Sequence, residues 1–256
     1  YGGYDSVRAK LAKMINCETD EISLTQNVTN GINIIAQGIK LKKGDEVILT
    51  THEHIGNAVP WMARAKKDGI ILKFAEIGKD ANDMLNKIND VITKKTKVIA
   101  VPHQTCTQGQ VLPAKEITKL GHDKGLWVML DAAHPVGQFP VDVKDIDCDF
   151  YVSCGHKWMM GPKGTGFLFM KKSMYEIVDP LFVGAGSVTD WDYKRGIHEY
   201  VNTGHRYDYT TRSAALSVGL EAAADFLLSI GMNNVGQRSR ALATHLMNNI
   251  KDLQNI

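Results

Sequence analysis

The sequence predicts an α/β protein with three layers, in which helices cover both faces of a mainly parallel sheet. Two observations indicate this fold: short apolar runs rich in strand-forming residues, and longer helical patterns that alternate with them. Several runs are apolar almost throughout, which is typical of strands covered by helices on both sides. The predicted strands are residues 46–51, 70–75, 97–102, 126–131, 148–153 and 166–171.

Helical patterns fill the segments between these strands, at residues 58–67, 81–93 and 114–124. Two longer helices are predicted at the end of the chain, 211–229 and 233–253, with Gly231 as a helix stop between them. We therefore expect 1–230 to form a large domain whose N-terminal part is incomplete. Residues 231–256 are expected to begin a small C-terminal domain that is mostly missing.

Composition excludes several classes of protein. The 256 residues are 44% hydrophobic, enough for one large buried core. Lys and Arg number 30 against 28 Asp and Glu, without a block of like charge, so no nucleic-acid partner is predicted. The apolar runs are too short to span a bilayer, so no membrane partner is predicted. The four cysteines show no CxxC spacing, which indicates free thiols and a cytoplasmic location.

Asp131 ends the apolar run 126–131, at the sheet edge where α/β proteins bind ligands. A carboxylate buried there is costly without a cationic partner. A protonated ring nitrogen of a ligand would be such a partner. A helix-capping role is an equally open interpretation for an isolated aspartate at a strand end.

Lys157 follows the next predicted strand, in the segment Ser-Cys-Gly-His-Lys at 153–157. Desolvation makes a lysine amine a better nucleophile toward an aldehyde, although an exposed loop lysine is the alternative. The glycines that follow allow a tight turn into strand 166–171. The patterns GxxxxGK[ST] and GxGxxG are absent, which excludes a Walker phosphate loop and a dinucleotide fingerprint.

Two further segments carry candidate ligand-binding residues. Asn27 and Thr29 precede the apolar helix 34–39, and a helix N-terminus binds anions, although simple capping is the alternative. His52 and His54 follow the first predicted strand, but HExxH is absent and no partner has ligand spacing, so no metal is predicted. The ring of His54 would suit stacking on a flat ligand instead.

In this order, the segments resemble the class V aminotransferase family of fold-type I pyridoxal-phosphate (PLP) enzymes. The most specific parts are 131–134 (Asp-Ala-Ala-His), 149–157 and 161–166, and the resemblance extends to 53–61 and 201–208. It implies the large domain of a PLP-dependent transferase, pyridoxal 5'-phosphate as cofactor and an amino-acid substrate. It also implies a homodimer, since family sites are completed across a two-fold interface.

The resemblance assigns a role to each candidate residue. Lys157 would form the Schiff base with the cofactor and move protons at the substrate α-carbon. Asp131 would keep the pyridine nitrogen protonated, which makes the ring an electron sink. His54 would stack on the ring, and His134 would lie near its phenolic oxygen. The phosphate would be held by the Val28 backbone, Thr29 and His156, and across the dimer by the loop of His205.

The resemblance implies an enzyme that acts at the α-carbon of an amino acid. An aminotransferase of the isopenicillin-N-epimerase-like branch is favoured, because residues 109–116, His134 and 154–158 look more like that branch. Four side chains also differ from the cysteine-desulfurase branch: Cys106, His134, Cys154 and His205. A cysteine desulfurase or selenocysteine lyase is the first alternative; its attacking cysteine lies, in the family, beyond residue 256. A non-catalytic PLP-binding module is the second, against which the intact Lys157 and Asp131 argue.

Overall fold

A seven-stranded sheet lies at the centre of the computed structural model, which describes residues 4–251. Its strands are β1 (Ile22–Thr25), β2 (Glu46–Thr50), β3 (Ile71–Ala75), β4 (Thr96–Pro102), β5 (Trp127–Asp131), β6 (Phe150–Cys154) and β7 (Gly166–Met170). Their order is β1-β7-β6-β5-β4-β2-β3, and β7 alone runs antiparallel to its neighbours. The predicted, mainly parallel sheet is confirmed.

Helices cover both faces of this sheet, as predicted. They are α1 (Asp5–Ile15), α2 (Val28–Gly38), α3 (Ile55–Asp68), α4 (Ala81–Val91), α5 (Ala114–His122), α6 (Val143–Ile146), α7 (Ala214–Ile230) and α8 (Met232–Ile250). Successive strand residues point to opposite faces. In β4, Val98 and Ala100 join the core under α2 and α3, whereas Ile99 and Val101 join the core under α1, α4, α5, α6 and α7.

The sequence patterns did not predict several elements of the structure. Helix α1 and strand β1 precede the first predicted element, and a hairpin of β8 (Val188–Asp192) and β9 (Ile197–Tyr200) lies outside the sheet. Strand β1 has only four residues, two of them polar, and its pairing with β7 makes it a strand. Both hairpin strands are largely exposed, so they lack the apolar run that marks a buried strand.

Two helices that border the site begin earlier than predicted, because a side chain caps each one. Asn27 Oδ1 accepts the N–H of Asn30 at 2.8 Å, so α2 begins at Val28 and includes the polar residues before the apolar run. His54 Nδ1 accepts the N–H of Gly56 at 2.9 Å, so α3 begins at Ile55. The amino ends of both helices are therefore fixed by residues with candidate roles in binding.

Close packing brings α2 against β6, an interior strand of the sheet. A Cβ on Gly31 would lie 2.4 Å from Val152 Cγ1 in β6, so only glycine lets the helix approach this strand so closely. Ser153 Oγ donates to the Ala132 carbonyl at 2.9 Å, and Cys154 Sγ lies 3.6 Å from the Ala133 carbonyl oxygen. These contacts tie the end of β6 to the loop after β5.

The C-terminal helices meet at Gly231, whose φ of 87° ends α7 as predicted. Helix α8 buries none of its residues, and its assignment to a second domain stays a prediction. Residues 252 and 253 of the predicted helix 233–253 lie outside the described residues. No single described helix is long and apolar enough to cross a membrane; α7 and α8 meet that criterion only together, across a 79° bend.

Candidate active site

Lys157, His134 and Asp131 come together beyond the carboxyl ends of β5 and β6. Lys157 Nζ lies 3.2 Å from His134 Nε2. The Asp131 carboxylate is only 4% exposed, and its Oδ1 accepts the N–H of Ala133 at 3.0 Å. Burial raises the pKa of Asp131, opposed by this hydrogen bond and by the positive charges of Lys157 and His54. The structure thus places the lysine and the aspartate at the same end of the sheet, close enough for the charge of Lys157 to act on Asp131.

A tight turn places Lys157 and the residues after it against the β5 loop. The N–H of Met160 donates to the Lys157 carbonyl at 3.0 Å, and the N–H of Gly161 donates to the Gly155 carbonyl at 2.7 Å. Gly137 has a φ of 91°, and a Cβ there would lie 2.4 Å from the Trp158 carbonyl carbon. Glycine at 137 therefore permits the direct contact between the two loops.

His134 lies between Lys157 and Trp158. Trp158 Nε1 donates a hydrogen bond to His134 Nδ1 at 3.2 Å, on the opposite side of the ring from Lys157. Burial lowers the pKa of His134, and the positive charges of Lys157 and His54 lower it further. The imidazole is therefore neutral at physiological pH.

The amino end of α2 forms a second part of the site. The backbone N–H groups of Val28 and Thr29 belong to the first helical turn, where no intrahelical acceptor exists. A Cβ on Gly56 would lie 2.5 Å from Thr29 Oγ1 and 2.9 Å from His54 Nδ1, so the hydroxyl and the imidazole border the same space. Thr29, His54 and Gly56 also line a surface cavity of about 440 Å³.

His156 directly precedes Lys157 and carries an unsatisfied nitrogen. Its Nδ1 is buried and has no hydrogen-bond partner among the described residues. A buried polar atom without a partner costs free energy, and an oxygen-rich anion would satisfy it. The N–H groups of Val28 and Thr29, the Thr29 hydroxyl and this imidazole are each donors of the kind that binds a phosphate.

His205 is a predicted site residue that the structure does not place beside Lys157, His134 and Asp131. It lies 3.9 Å from Asp5, beside the first residues of β1, where Ser23 Oγ donates to the Gly204 carbonyl at 2.7 Å. Burial lowers the pKa of His205, and the nearby charge of Arg8 acts in the same direction. Its contribution to the phosphate site of a neighbouring subunit stays a prediction.

Glu53 is a partly buried carboxyl at the site that the sequence did not single out. Its Oε1 accepts hydrogen bonds from the N–H and the hydroxyl of Thr50, both at 2.8 Å, and its Oε2 accepts from Asn57 Nδ2 at 2.7 Å. Burial raises the pKa of Glu53 to about 7 despite these bonds, and the charge of Asp131 contributes. An acidic residue three positions after a buried strand is the signal that would have identified it.

Glu53 makes the stability of the protein depend on pH. Its carboxyl has a pKa of about 4.3 when unfolded, so the free energy of unfolding should fall as pH rises from there through 7, by about 3 kcal/mol. We expect Glu53→Gln to reduce this fall, measured as the difference between urea unfolding at pH 5 and pH 8. The exposed carboxyl of Glu116 provides the control, since Glu116→Gln should retain the wild-type difference. An unchanged difference in Glu53→Gln would assign the effect to other groups.

Comparison with known proteins identifies the family. The model of the family described as Aminotransferase class-V matches residues 1–256. The chain belongs to this family. The resemblance predicted from the motifs is thereby confirmed, as is the predicted cofactor at the level of the family, because class V proteins depend on PLP. Within residues 4–251, no group of three or more His, Cys, Asp or Glu side chains is placed to hold a metal ion.

Proteins with similar sequences carry names that refer to the removal of sulfur from cysteine. A probable cysteine desulfurase of Synechocystis is 37% identical over 239 residues, which cover 91% of this chain and 56% of that protein. A probable cysteine desulfurase of Pyrococcus abyssi is 31% identical, with 98% of this chain and 62% of that protein covered. The chain thus spans about three fifths of the length of such relatives.

Solved structures agree with the fold. The apo cysteine desulfurase of Thermococcus onnurineus NA1 superimposes with a TM-score of 0.90 at 27% identity, over 98% of this chain and 62% of that one. The cystine C–S lyase C-DES, in complex with its product cysteine persulfide, has a TM-score of 0.90 at 26% identity, over 99% of this chain and 68% of that one. A Lys-to-Ala variant of C-DES carries glycine covalently linked to the PLP cofactor.

These relatives weigh against the preference for an aminotransferase. That preference depended on four side chains and two short segments, whereas the similarity to cysteine desulfurases extends over most of the chain. At one of the four positions, Cys154, the structure shows why a different side chain is tolerated. The Cys154 thiol contacts the Ala133 carbonyl oxygen, a contact that a hydroxyl would also make. The findings therefore support the desulfurase alternative better than the main prediction.

Proposed function

We propose that the chain is the cofactor-binding part of a PLP-dependent enzyme that removes sulfur from cysteine. The observation that carries the proposal is the cluster of Lys157, His134 and Asp131 beside the donor set of α2 and His156. The cluster supports PLP chemistry on an amino acid. The choice of a sulfur-containing substrate is supported by the relatives, which are named cysteine desulfurases.

The residues present fit PLP at each of its functional groups. Lys157 would hold the aldehyde carbon, and the buried carboxylate of Asp131 would pair with the ring nitrogen. The phosphate would occupy the donor set at Val28, Thr29 and His156. When bound, PLP supplies an electron sink for negative charge at the substrate α-carbon.

The chain's own side chains would orient the reactants and move the proton. Lys157 Nζ is the basic atom at the centre of the cluster, and it would take and return the proton of the substrate α-carbon. His134 is neutral, so it would donate a hydrogen bond without adding a charge. The imidazole of His54 borders the same space from α3 and would cover one face of the ring.

A homodimer is part of the proposal. Helix α3 exposes a stripe of large apolar side chains beside the site: Ile55 is 70% exposed, Val59 48% and Met62 45%. These positions are four and three residues apart and so share one face of the helix. An exposed apolar stripe of this kind favours a protein contact, and a second copy of the chain would cover it. The cytoplasmic location stays a prediction from the cysteines.

The products formed from cysteine test the proposed function. The full-length protein, purified and supplied with PLP, cysteine and a thiol reductant, should release sulfide and alanine in equal amounts, without a keto acid. Turnover that requires a keto acid and yields a new amino acid would instead establish an aminotransferase. Release of persulfide and pyruvate from cystine would establish a cystine lyase. Absence of all three reactions in protein that binds PLP would refute the proposal and favour a non-catalytic module.

A further inference from the structure

Trp158 is a large side chain of the site to which neither the motifs nor the proposed function give a role. It follows Lys157 directly, is 45% exposed, and its indole turns back to donate to His134 Nδ1. The backbone of Trp158 lies so close to Gly137 that residue 137 has no space for a Cβ atom. The turn therefore fixes the backbone of Trp158, although much of the indole ring faces solvent.

The two contacts of His134 determine where its proton lies. An indole N–H donates and never accepts, so Nδ1 must offer a lone pair to Trp158. A neutral imidazole has one proton, which the contact with Trp158 then places on Nε2, the nitrogen 3.2 Å from Lys157 Nζ, so this second contact is a hydrogen bond only when the lysine is an uncharged amine. The lowered pKa of His134 agrees with a neutral ring. The charges of Lys157 and His54 act directly on the ring. Asp131 lies near both, and Glu53 and the Cys154 thiol lie near Asp131.

We propose that Trp158 is a positioning residue that holds His134 in the Nε2–H tautomer, so that this N–H faces the reactive nitrogen of Lys157. This inference rests on the proposed function, in which Lys157 binds the cofactor. An N–H can donate only to a nitrogen with a lone pair, which an amine has and an ammonium lacks. The amine is also the form that attacks an aldehyde. The indole thus orients a donor that can bond to the lysine nitrogen only when that nitrogen has a lone pair.

The tautomer of His134 is measured in the cofactor-free protein by nitrogen NMR of histidine labelled with ¹⁵N. The His134 signals are identified by their loss in His134→Gln. We expect Nε2–H in the wild type, and in Trp158→Phe a shift of about fivefold toward Nδ1–H, the effect of one hydrogen bond. Trp191→Phe is the matched control, because Trp191 is similarly exposed, at 52%, but lies on the β8–β9 hairpin. It should leave the tautomer unchanged.

The consequence for Lys157 is measured on the protein with bound PLP. The pH midpoint of the visible cofactor band should rise in Trp158→Phe, because the donor that favours a lone pair on the lysine nitrogen is weakened. In a His134→Gln background the same substitution should change nothing further, since an amide has no tautomer to fix. A structural effect of losing the indole would instead appear in both backgrounds.

Two results would overturn the inference. One is an unchanged His134 tautomer in Trp158→Phe. The other is an equal shift of the midpoint with and without His134. If PLP does not attach to Lys157 at all, the proposed function fails, whereas the measurement on cofactor-free protein still decides whether Trp158 fixes the tautomer.

Discussion

Replacing Lys157 with alanine is expected to remove the visible band of the bound cofactor and to lower turnover by about three orders of magnitude or more. The loss combines two effects, because Lys157 would both hold the cofactor and move the α-proton. General acid–base catalysis alone contributes about 10²–10⁴-fold. Borohydride reduction of wild-type protein, followed by peptide mass spectrometry, should find the cofactor mass on Lys157. The same treatment of Lys157→Ala should find no modified lysine.

Lys163 offers a matched control in the same loop. It lies six positions further along the chain and is exposed, outside the contact with His134. Lys163→Ala should therefore keep the visible band and the turnover of the wild type. If a cofactor adduct persists in Lys157→Ala and disappears in Lys163→Ala, the assignment of the reactive lysine is wrong.

The fold was predictable where burial on two faces leaves a clear pattern in the sequence. Strands β4, β5 and β6 lie in the middle of the sheet, so nearly every residue is apolar and the runs stand out. Strand β1 was missed because it is short and partly polar, and its pairing with β7 is a contact across more than 140 residues of sequence. Such long-range pairing leaves little trace in local patterns.

The position of the main site groups was predictable for a geometric reason. The carboxyl ends of parallel strands meet at one edge, so residues that follow β5 and β6 must be neighbours. What could not be predicted is the direction of individual side chains. The hydrogen bond from Trp158 depends on a turn closed by Met160 and on the space left at Gly137. The orientation of the Glu53 carboxyl depends on hydrogen bonds from Thr50 and Asn57.

The preferred reaction type was the weakest inference from the sequence. Side chains at four positions and two short segments were used to separate branches of one family, although fold and cofactor are shared by enzymes with different substrates. His134 illustrates the difficulty, because an imidazole held in one tautomer donates a hydrogen bond much as an amide would. A difference of residue type is therefore compatible with the same role at the site.

Replacing Asp131 with asparagine is expected to separate catalysis from stability. Asparagine keeps the carbonyl oxygen that accepts the Ala133 N–H but loses the charge. Turnover should fall by about 10²–10³-fold, because a preorganised charge opposite the ring nitrogen would be lost. Stability of the cofactor-free protein at neutral pH should be unchanged or higher, because burial disfavours the charged form of Asp131. Urea unfolding and the rate of sulfide release measure the two effects.

Asp149 is the matched control, as a carboxylate equally buried just before β6, at the opposite end of that strand from Lys157. Its Oδ2 accepts the N–H of Val128 at 2.7 Å and lies 3.0 Å from His122 Nε2. Asp149→Asn should therefore lower stability and leave the turnover of folded protein unchanged. If Asp131 only capped the backbone, Asp131→Asn would likewise lower stability and leave the turnover of folded protein unchanged, because such a residue contributes to folding and not to the reaction. Opposite responses of the two variants would show that the charge at 131 is retained for a ligand, at a cost in stability.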